Sequence, residues 1–69
     1  MKYIVYQLDD DFNIINKFMF EDNKTAFLYI QQHLADEPNA NLLHLILDEN
    51  SDIKTVKTYR KGNYIKTLL

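Results

Sequence analysis

The sequence predicts an α+β domain in which one helix packs on one face of a five-stranded, mostly antiparallel sheet. Residues 42–47 place five aliphatic residues in six positions between turn-forming segments, which is typical of a central strand with two apolar faces. Two β-prone runs precede this strand and two follow it. One segment, residues 22–37, spaces its apolar side chains as an amphipathic helix does.

The first two strands, over residues 3–8 and 14–20, are predicted to form a hairpin. Both runs are rich in β-branched and aromatic residues. The segment between them, residues 10–13, contains aspartate and asparagine, whose side chains favour turns by hydrogen-bonding to nearby backbone groups. This turn is therefore expected to form without glycine.

The helix is predicted to begin at Asp22 and to end before Pro38. The Asp22 carboxylate can accept a hydrogen bond from the backbone N–H of Lys24 or Thr25, and an acidic group is favourable at the positive end of the helix dipole. Proline excludes the α conformation from the residue before it, so the helix stops there.

The apolar stripe of this helix is predicted to contain Phe27, Ile30 and Leu34, at spacings i, i+3 and i+7. Leu28 and Tyr29 lie outside that spacing and are expected to point away from the sheet.

The last two strands flank residues 60–63, where Gly62, the only glycine of the chain, supplies the positive φ that a tight hairpin turn needs. A two-residue loop at Lys61 and Gly62 pairs Tyr59 with Tyr64. A three-residue loop with Gly62 in a bulge shifts every pair by one residue. The sequence is compatible with both registers.

The element order is therefore ββαβββ, and the least strained placement gives a sheet order of 2-1-3-4-5. Five strands make a sheet roughly 20 Å wide, whereas a helix covers about 10 Å. An apolar area that includes Tyr3, Val5 and Met19 is expected to stay uncovered and to serve for self-association or partner binding. In the alternative, the last hairpin curls under the sheet and buries it.

Sixty-nine residues make a single domain, residues 1–69, with a small core that self-association or a partner would help to stabilise. There is no cysteine, which fits a cytoplasmic location. No apolar stretch approaches the roughly 18–20 residues that span a bilayer, and the N-terminal residues are predicted to be a strand instead of a signal peptide.

Charge is distributed unevenly along the chain. Residues 1–52 contain all ten acidic residues and three basic ones, a formal charge of −7, whereas residues 53–69 contain five basic residues and no acidic one, a charge of +5. Cations, hydroxyls and aromatic rings alternate in the last hairpin, as they do in surfaces that bind acidic proteins or nucleic acid. The predicted partner-binding residues are Lys54, Lys57, Tyr59, Arg60, Lys61, Tyr64 and Lys66. The alternative is an ordinary edge hairpin whose lysines prevent strand pairing.

Metal and catalytic sites are not predicted. The segments beginning at Asp9 and Asp48 resemble the start of a calcium loop but lack its glycine and its final glutamate, so both are expected to be solvated turns. His33 and His44 have no metal-ligand spacing, and His44 is expected to be packed and hydrogen-bonded in the central strand. Ser51, the only serine, has no histidine in its local sequence. We expect no enzyme activity and no cofactor.

The tyrosine-containing first strand, acidic turn, second strand and helix of residues 1–35 resemble the beginning of HicB-type antitoxins. The chain lacks the glycines and the third strand expected before the helix in that family, so no site residue is transferred. Small cysteine-free chains rich in lysine and asparagine are typical of bacterial or phage accessory factors such as inhibitors and antitoxins. The sequence therefore favours a protein-interaction module that binds an acidic macromolecular surface and self-associates as a homodimer; the alternative is a small nucleic-acid-binding regulator.

Overall fold

The computed structural model describes the backbone of residues 1–67 and the side chains of residues 1–65. The strands are β1 (Lys2–Leu8), β2 (Ile14–Phe20), β3 (Asn41–Leu47), β4 (Ile53–Arg60) and β5 (Asn63–Thr67), and the helix α1 spans Asn23–Asp36. The sheet order is β2-β1-β3-β4-β5, and every neighbouring pair of strands is antiparallel. The predicted fold class and strand order are confirmed.

The aliphatic run is the central strand, as its composition predicts. Strand β3 pairs with β1 on one side and with β4 on the other. Its side chains Leu42 and His44 are almost completely buried, at 0% and 1% exposure. The rest of the fold is arranged around this strand.

Helix α1 begins and ends where the sequence predicts. Asp22 is the N-cap, and its Oδ1 accepts a hydrogen bond from the backbone N–H of Thr25 at 2.7 Å. This hydrogen bond lowers the pKa of the Asp22 carboxyl group. At the other end the N–H of Glu37 donates to the carbonyl of His33 at 2.8 Å, and Pro38 follows. No helix within residues 1–67 is long and apolar enough to cross a membrane.

The core lies between α1 and one face of the sheet, here called the helix face. Val5, Ala26, Ile30 and Leu42 form a buried cluster there. Partly buried apolar side chains surround it, namely Tyr3, Phe20, Tyr29, Leu34 and Tyr59. So small a cluster fits the limited burial expected of a chain of this length.

The predicted helix stripe is wrong at two positions. Tyr29, expected to point away from the sheet, packs on the core, with its ring centroid 5.1 Å from that of Phe18 and 5.4 Å from that of Phe20. Phe27, expected in the stripe, is 46% exposed. The inward stripe instead contains Ala26, Tyr29, Ile30 and Leu34, at spacings i, i+3, i+4 and i+8, so the predicted stripe was placed about one position away from the observed one.

The opposite side of the sheet, here called the open face, has no element packed on it within residues 1–67. Helix α1 contacts β1 and β2 on the other side, and β4 and β5 continue the sheet instead of curling under it. Met19 lies on the open face, as predicted, and is 62% exposed. The prediction is wrong for Tyr3 and Val5, which alternate with Ile4 and pack beneath the helix.

The open face is rich in apolar side chains on all five strands. Its register positions hold Ile4, Tyr6, Leu8, Ile14, Met19, Leu43, Leu45, Leu47, Ile53, Val56 and Ile65. Ile14 belongs to this set because of a bulge in β2. Gln7 pairs with Asn16 and Leu8 pairs with Ile14, so Ile15 is the extra residue and the alternation of faces shifts by one position.

Candidate interaction surface

The turn between β4 and β5 resolves the two registers that the sequence left open. Tyr59 pairs with Tyr64, as the two-residue loop requires. Both loop residues have positive φ, 49° at Lys61 and 80° at Gly62, which is the conformation that matches the twist of a hairpin.

Residue 62 must be glycine for a second reason. Its N–H donates to the Ala40 carbonyl at 2.9 Å, so the turn lies directly against the loop that leads into β3. A Cβ atom at Gly62 would lie 1.8 Å from the carbonyl oxygen of Pro38. The hairpin is thus fixed to the body of the molecule at its tip.

Asn41 forms a clamp at the same end of the sheet. Its side chain is 5% exposed, and its Oδ1 accepts from the backbone N–H of Lys61 at 2.9 Å. Its Nδ2 is 3.2 Å from both the Asp9 carbonyl and an Asp10 carboxylate oxygen. Asn41 therefore joins the turns at either side of β3. The signal in the sequence was a polar residue at the start of the most apolar strand.

The cations predicted to form the binding site do not share one surface. Lys57 lies on the helix face, next to His44 in the register, whereas Arg60 lies on the open face. Lys61 is in the turn. Lys54 lies at the irregular start of β4, where its Nζ is 3.5 Å from the Asp48 carboxylate. The backbone of Lys66 pairs with that of Lys57, and its side chain lies outside the described residues.

The two predicted anchor residues are brought together. The rings of Tyr59 and Tyr64 pack with their centroids 5.3 Å apart and their planes at 39°. Tyr64 is 52% exposed, whereas Tyr59 is partly buried against the core. Burial, and then the neighbouring Tyr64, raises the pKa of Tyr59, so its hydroxyl stays protonated at neutral pH.

Lys57, Tyr59 and Tyr64 form a surface that we call the hairpin platform. All three lie on the helix face, because Tyr59 pairs with Leu42 and Lys57 pairs with His44. Helix α1 packs mainly over β1 and β2 and leaves β4 and β5 beside it accessible. The platform therefore presents a cation and two aromatic rings next to the exposed flank of the helix.

Arg60 makes its contact on the other side of the sheet. Its guanidinium carbon lies 4.9 Å from the centroid of the Phe12 ring, in the turn between β1 and β2. This cation–π contact holds the arginine across the end of the open face. Phe12 adopts a φ of 62°, which is unusual for a bulky residue and directs its ring toward the sheet.

The prediction for His44 is correct in its burial and wrong in its hydrogen bonding. The side chain is 1% exposed, yet neither ring nitrogen has a hydrogen-bond partner among the described residues. Burial, reinforced by the positive charge of Lys57, lowers the pKa of His44. The imidazole is therefore neutral in the folded protein near neutral pH.

A polar and aromatic group beneath the helix was missed by sequence reasoning. The Gln7 side-chain amide donates to the Tyr29 hydroxyl and accepts from the Asn16 amide at 2.7 Å, and the Tyr29 ring stacks on His33. These contacts join β1, β2 and α1. They satisfy polar groups at the border of the core.

The two acidic segments considered for calcium are turns of one kind. In each, the first aspartate, Asp9 or Asp48, accepts hydrogen bonds at 2.9–3.0 Å from the backbone N–H groups two and four residues later. These hydrogen bonds lower the pKa of both carboxyl groups. The fourth residue, Phe12 or Ser51, has positive φ. The described residues contain no cluster of three metal-ligating side chains.

Comparison of the chain with models of known protein families, with curated proteins and with solved structures found no match.

Proposed function

We propose that this protein is a non-enzymatic interaction module whose C-terminal hairpin binds an acidic surface on another macromolecule. The observation that carries the proposal is the hairpin platform, in which the exposed Tyr64 packs on the half-buried Tyr59 with the half-buried Lys57 on the same face. Aromatic rings contribute most of the binding energy where a partner desolvates them. Neighbouring cations steer an acidic partner toward them.

The charge of the hairpin supports an acidic partner. Of its cations with described side chains, Lys54 is paired with the Asp48 carboxylate, while Lys57, Arg60 and Lys61 form no ion pair with any residue that the structure describes. Cations that have no carboxylate partner among the described residues are available to a carboxylate on another molecule.

A nucleic-acid partner is the second candidate, and the exposed ring of Tyr64 favours it. Single-stranded nucleic acids bind to grooves in which bases stack on aromatic rings while cations contact phosphates. The charge of −7 on residues 1–52 opposes this candidate, because those carboxylates repel phosphates. We therefore place an acidic protein surface first.

The proposed setting follows the same reasoning. A small cysteine-free binding module suits the reducing cytoplasm, and an inhibitor- or antitoxin-like accessory factor in a bacterium or phage is the role we propose. The binding residues of the proposal are those of the hairpin, with Tyr59 and Tyr64 as anchors and Lys57 beside them. The other lysines and Arg60, which lies on the opposite face, supply charge that attracts the partner at longer range.

The proposal is tested by titrating the protein with a polyglutamate peptide, as a model acidic surface, and following backbone amide resonances. We expect perturbations centred on β4 and β5. The triple variant Lys57→Ala, Arg60→Ala, Lys61→Ala should bind about tenfold more weakly, since each exposed charge contributes up to about 1 kcal/mol. The matched control removes three cations outside the hairpin, by Lys2→Ala, Lys17→Ala and Lys24→Ala.

Two outcomes would contradict the proposal. One is equal weakening in both triple variants, because binding would then reflect net charge alone. The other is a perturbed surface that excludes the hairpin. A parallel titration with a thymidine oligonucleotide examines the second candidate: tighter binding than to polyglutamate, falling steeply with added salt, would favour nucleic acid. No binding at low salt would remove it.

A further inference from the structure

The open face presents an apolar surface that the chain itself leaves uncovered. Several of its side chains are largely exposed, including Ile14 and Met19 at 62% each and Ile65 at 47%. Exposed apolar side chains grouped on one face of a sheet are typical of an interaction surface. The hairpin platform lies on the other side of the sheet, so this surface does not depend on the function proposed above.

We propose that the open face binds the open face of a second copy of this chain, forming a homodimer with two sheets at its centre and one helix on each outer side. Two sheets that pack face to face bury their apolar side chains in a shared layer about 10 Å thick. This arrangement gives each copy a second core, in addition to the four-residue buried cluster beneath α1. Both hairpin platforms stay on the outside of the dimer.

The size of the open face fits a stable dimer. Five strands about 4.8 Å apart, each about seven residues long, give a face of roughly 500 Å² in projection. Protruding side chains raise the accessible area above this value, toward the roughly 800 Å² per partner of a standard interface. The largely exposed apolar side chains of this face lie on β2, β4 and β5, so contacts with a second copy would extend across the width of the sheet and not along one edge only.

The charges at the ends of the sheet are complementary to those of a second copy. The acidic turn that contains Asp10 and Asp11 and the basic turn that contains Arg60 and Lys61 lie at the same end of the sheet, on opposite sides of β3. Consider a two-fold axis that lies between the two sheets and runs parallel to β3. Rotation about this axis places the acidic turn of each copy opposite the basic turn of the other. The same axis places Lys2 near the partner's acidic turn at residues 48–52.

The other two-fold arrangement also brings unlike charges together. An axis perpendicular to the strands brings the turn at Lys61 to the opposite end of the partner's β4, where Lys54 is paired with Asp48 of the acidic turn at residues 48–52. Charge complementarity thus supports a second copy as the occupant of the open face. The charge exchange described below decides between the two axes.

The dimer is tested by sedimentation equilibrium over a range of protein concentrations. We expect a mass that rises from 8.3 kDa toward twice that value as the concentration increases to high micromolar. The variants Ile14→Lys and Met19→Lys each place a charge in the interface at a position exposed in the single chain, so we expect the dissociation constant to rise at least about tenfold. Circular dichroism checks that both variants keep the fold.

The matched control is Leu28→Lys, which changes an equally apolar side chain that is 53% exposed on α1. This variant should dimerise like the unchanged chain. A mass of 8.3 kDa at high micromolar concentration would overturn the proposal. So would a dimer that persists in both open-face variants, because its contacts would then lie on an edge strand or on the helix.

A charge exchange tests the orientation separately. Lys61→Glu should weaken the dimer about fivefold, because it creates two like-charged contacts with the partner's acidic turn. Adding Asp11→Lys to that variant should restore the affinity. If the double variant dimerises no better than the single one, the axis along β3 is wrong.

Discussion

At the scale of single residues, His44 is the most unusual feature of the core. A buried imidazole usually forms at least one hydrogen bond, because an unsatisfied polar group in the interior costs about 1–3 kcal/mol. His44 has no such partner among the described residues and faces Lys57 in the neighbouring strand. The protein therefore carries a neutral histidine that resists protonation while the chain is folded.

This burial makes stability depend on pH in a defined window. The unfolded chain binds a proton on His44 near its ordinary pKa of about 6.5, whereas the folded chain does so only at lower pH. The unfolded state thus holds more protons below about pH 6.5, and the free energy of unfolding should fall as the pH drops from there. Urea unfolding at about pH 7.5 and pH 5.5 measures this difference.

The variant His44→Leu measures how much His44 contributes to the pH dependence of the free energy of unfolding. It should reduce the pH dependence of unfolding in that window and raise stability by about 1 kcal/mol, since an apolar side chain of similar size replaces an unpaired polar one. His33→Gln is the matched control and should keep the contribution of His44. Aspartates with lowered pKa, such as Asp48, act at lower pH, because their stabilising effect is lost as the pH falls through 3.8 and below. Equal stability of the unchanged protein at both pH values would contradict this interpretation.

Gly62 is the residue at which the backbone tolerates least change. Gly62→Ala combines a strained φ of 80° with a Cβ atom placed on the Pro38 carbonyl. We expect a loss of about 2 kcal/mol or more in the free energy of unfolding. Thermal or urea unfolding measures it, with Asn63→Ala, an exposed neighbour, as control. A change of less than about 0.5 kcal/mol, the usual effect of a surface substitution, would show that the turn can rearrange.

At the scale of elements, the Asn41 side chain connects the two hairpins. Asn41→Ala removes its hydrogen bonds to both turns and leaves the N–H of Lys61 without its partner. We expect a loss of roughly 2 kcal/mol in stability and faster hydrogen exchange at the Lys61 amide. Asn39→Ala, an exposed residue of the same loop, should change neither. Unchanged exchange at Lys61 in the Asn41 variant would argue against the clamp.

Local chemistry explains why the elements themselves could be predicted. The Asp22 cap, the stop before Pro38 and the Gly62 turn each depend on a residue and its immediate neighbours. The inward position of Tyr29 was open to the same reasoning, because Ala26, Tyr29 and Ile30 lie at i, i+3 and i+4, whereas the predicted stripe started from Phe27. The bulge that moves Ile14 to the open face follows from pairing with β1, which a single run of residues does not encode.

At the scale of the whole molecule, the charge division along the chain did not translate into one basic surface. Successive residues of a strand point to opposite faces, so Lys57 and Arg60, three positions apart, lie on different sides of the sheet. The sequence shows how many cations the hairpin contains. Which of those cations share a face of the sheet is determined by the alternation of side chains along the strand. Lys57 belongs to the hairpin platform, and Arg60 borders the open face.

The molecule therefore has two accessible surfaces of different character. The hairpin platform is basic and aromatic, and the open face is apolar with charged turns at its ends. If both proposals hold, dimerisation through the open face displays two platforms on opposite sides, so a partner with repeated acidic sites would bind with a higher apparent affinity. A monomeric variant such as Met19→Lys should then lose this gain while keeping single-site binding to polyglutamate.

The most direct test of partner binding through the hairpin is affinity capture from a lysate of the host cells, treated with nuclease and analysed by mass spectrometry. The unchanged chain and the control lacking Lys2, Lys17 and Lys24 should both retain the same partner protein, and the variant lacking Lys57, Arg60 and Lys61 should lose it. Retention of that partner by the hairpin variant would contradict the proposed role of the hairpin.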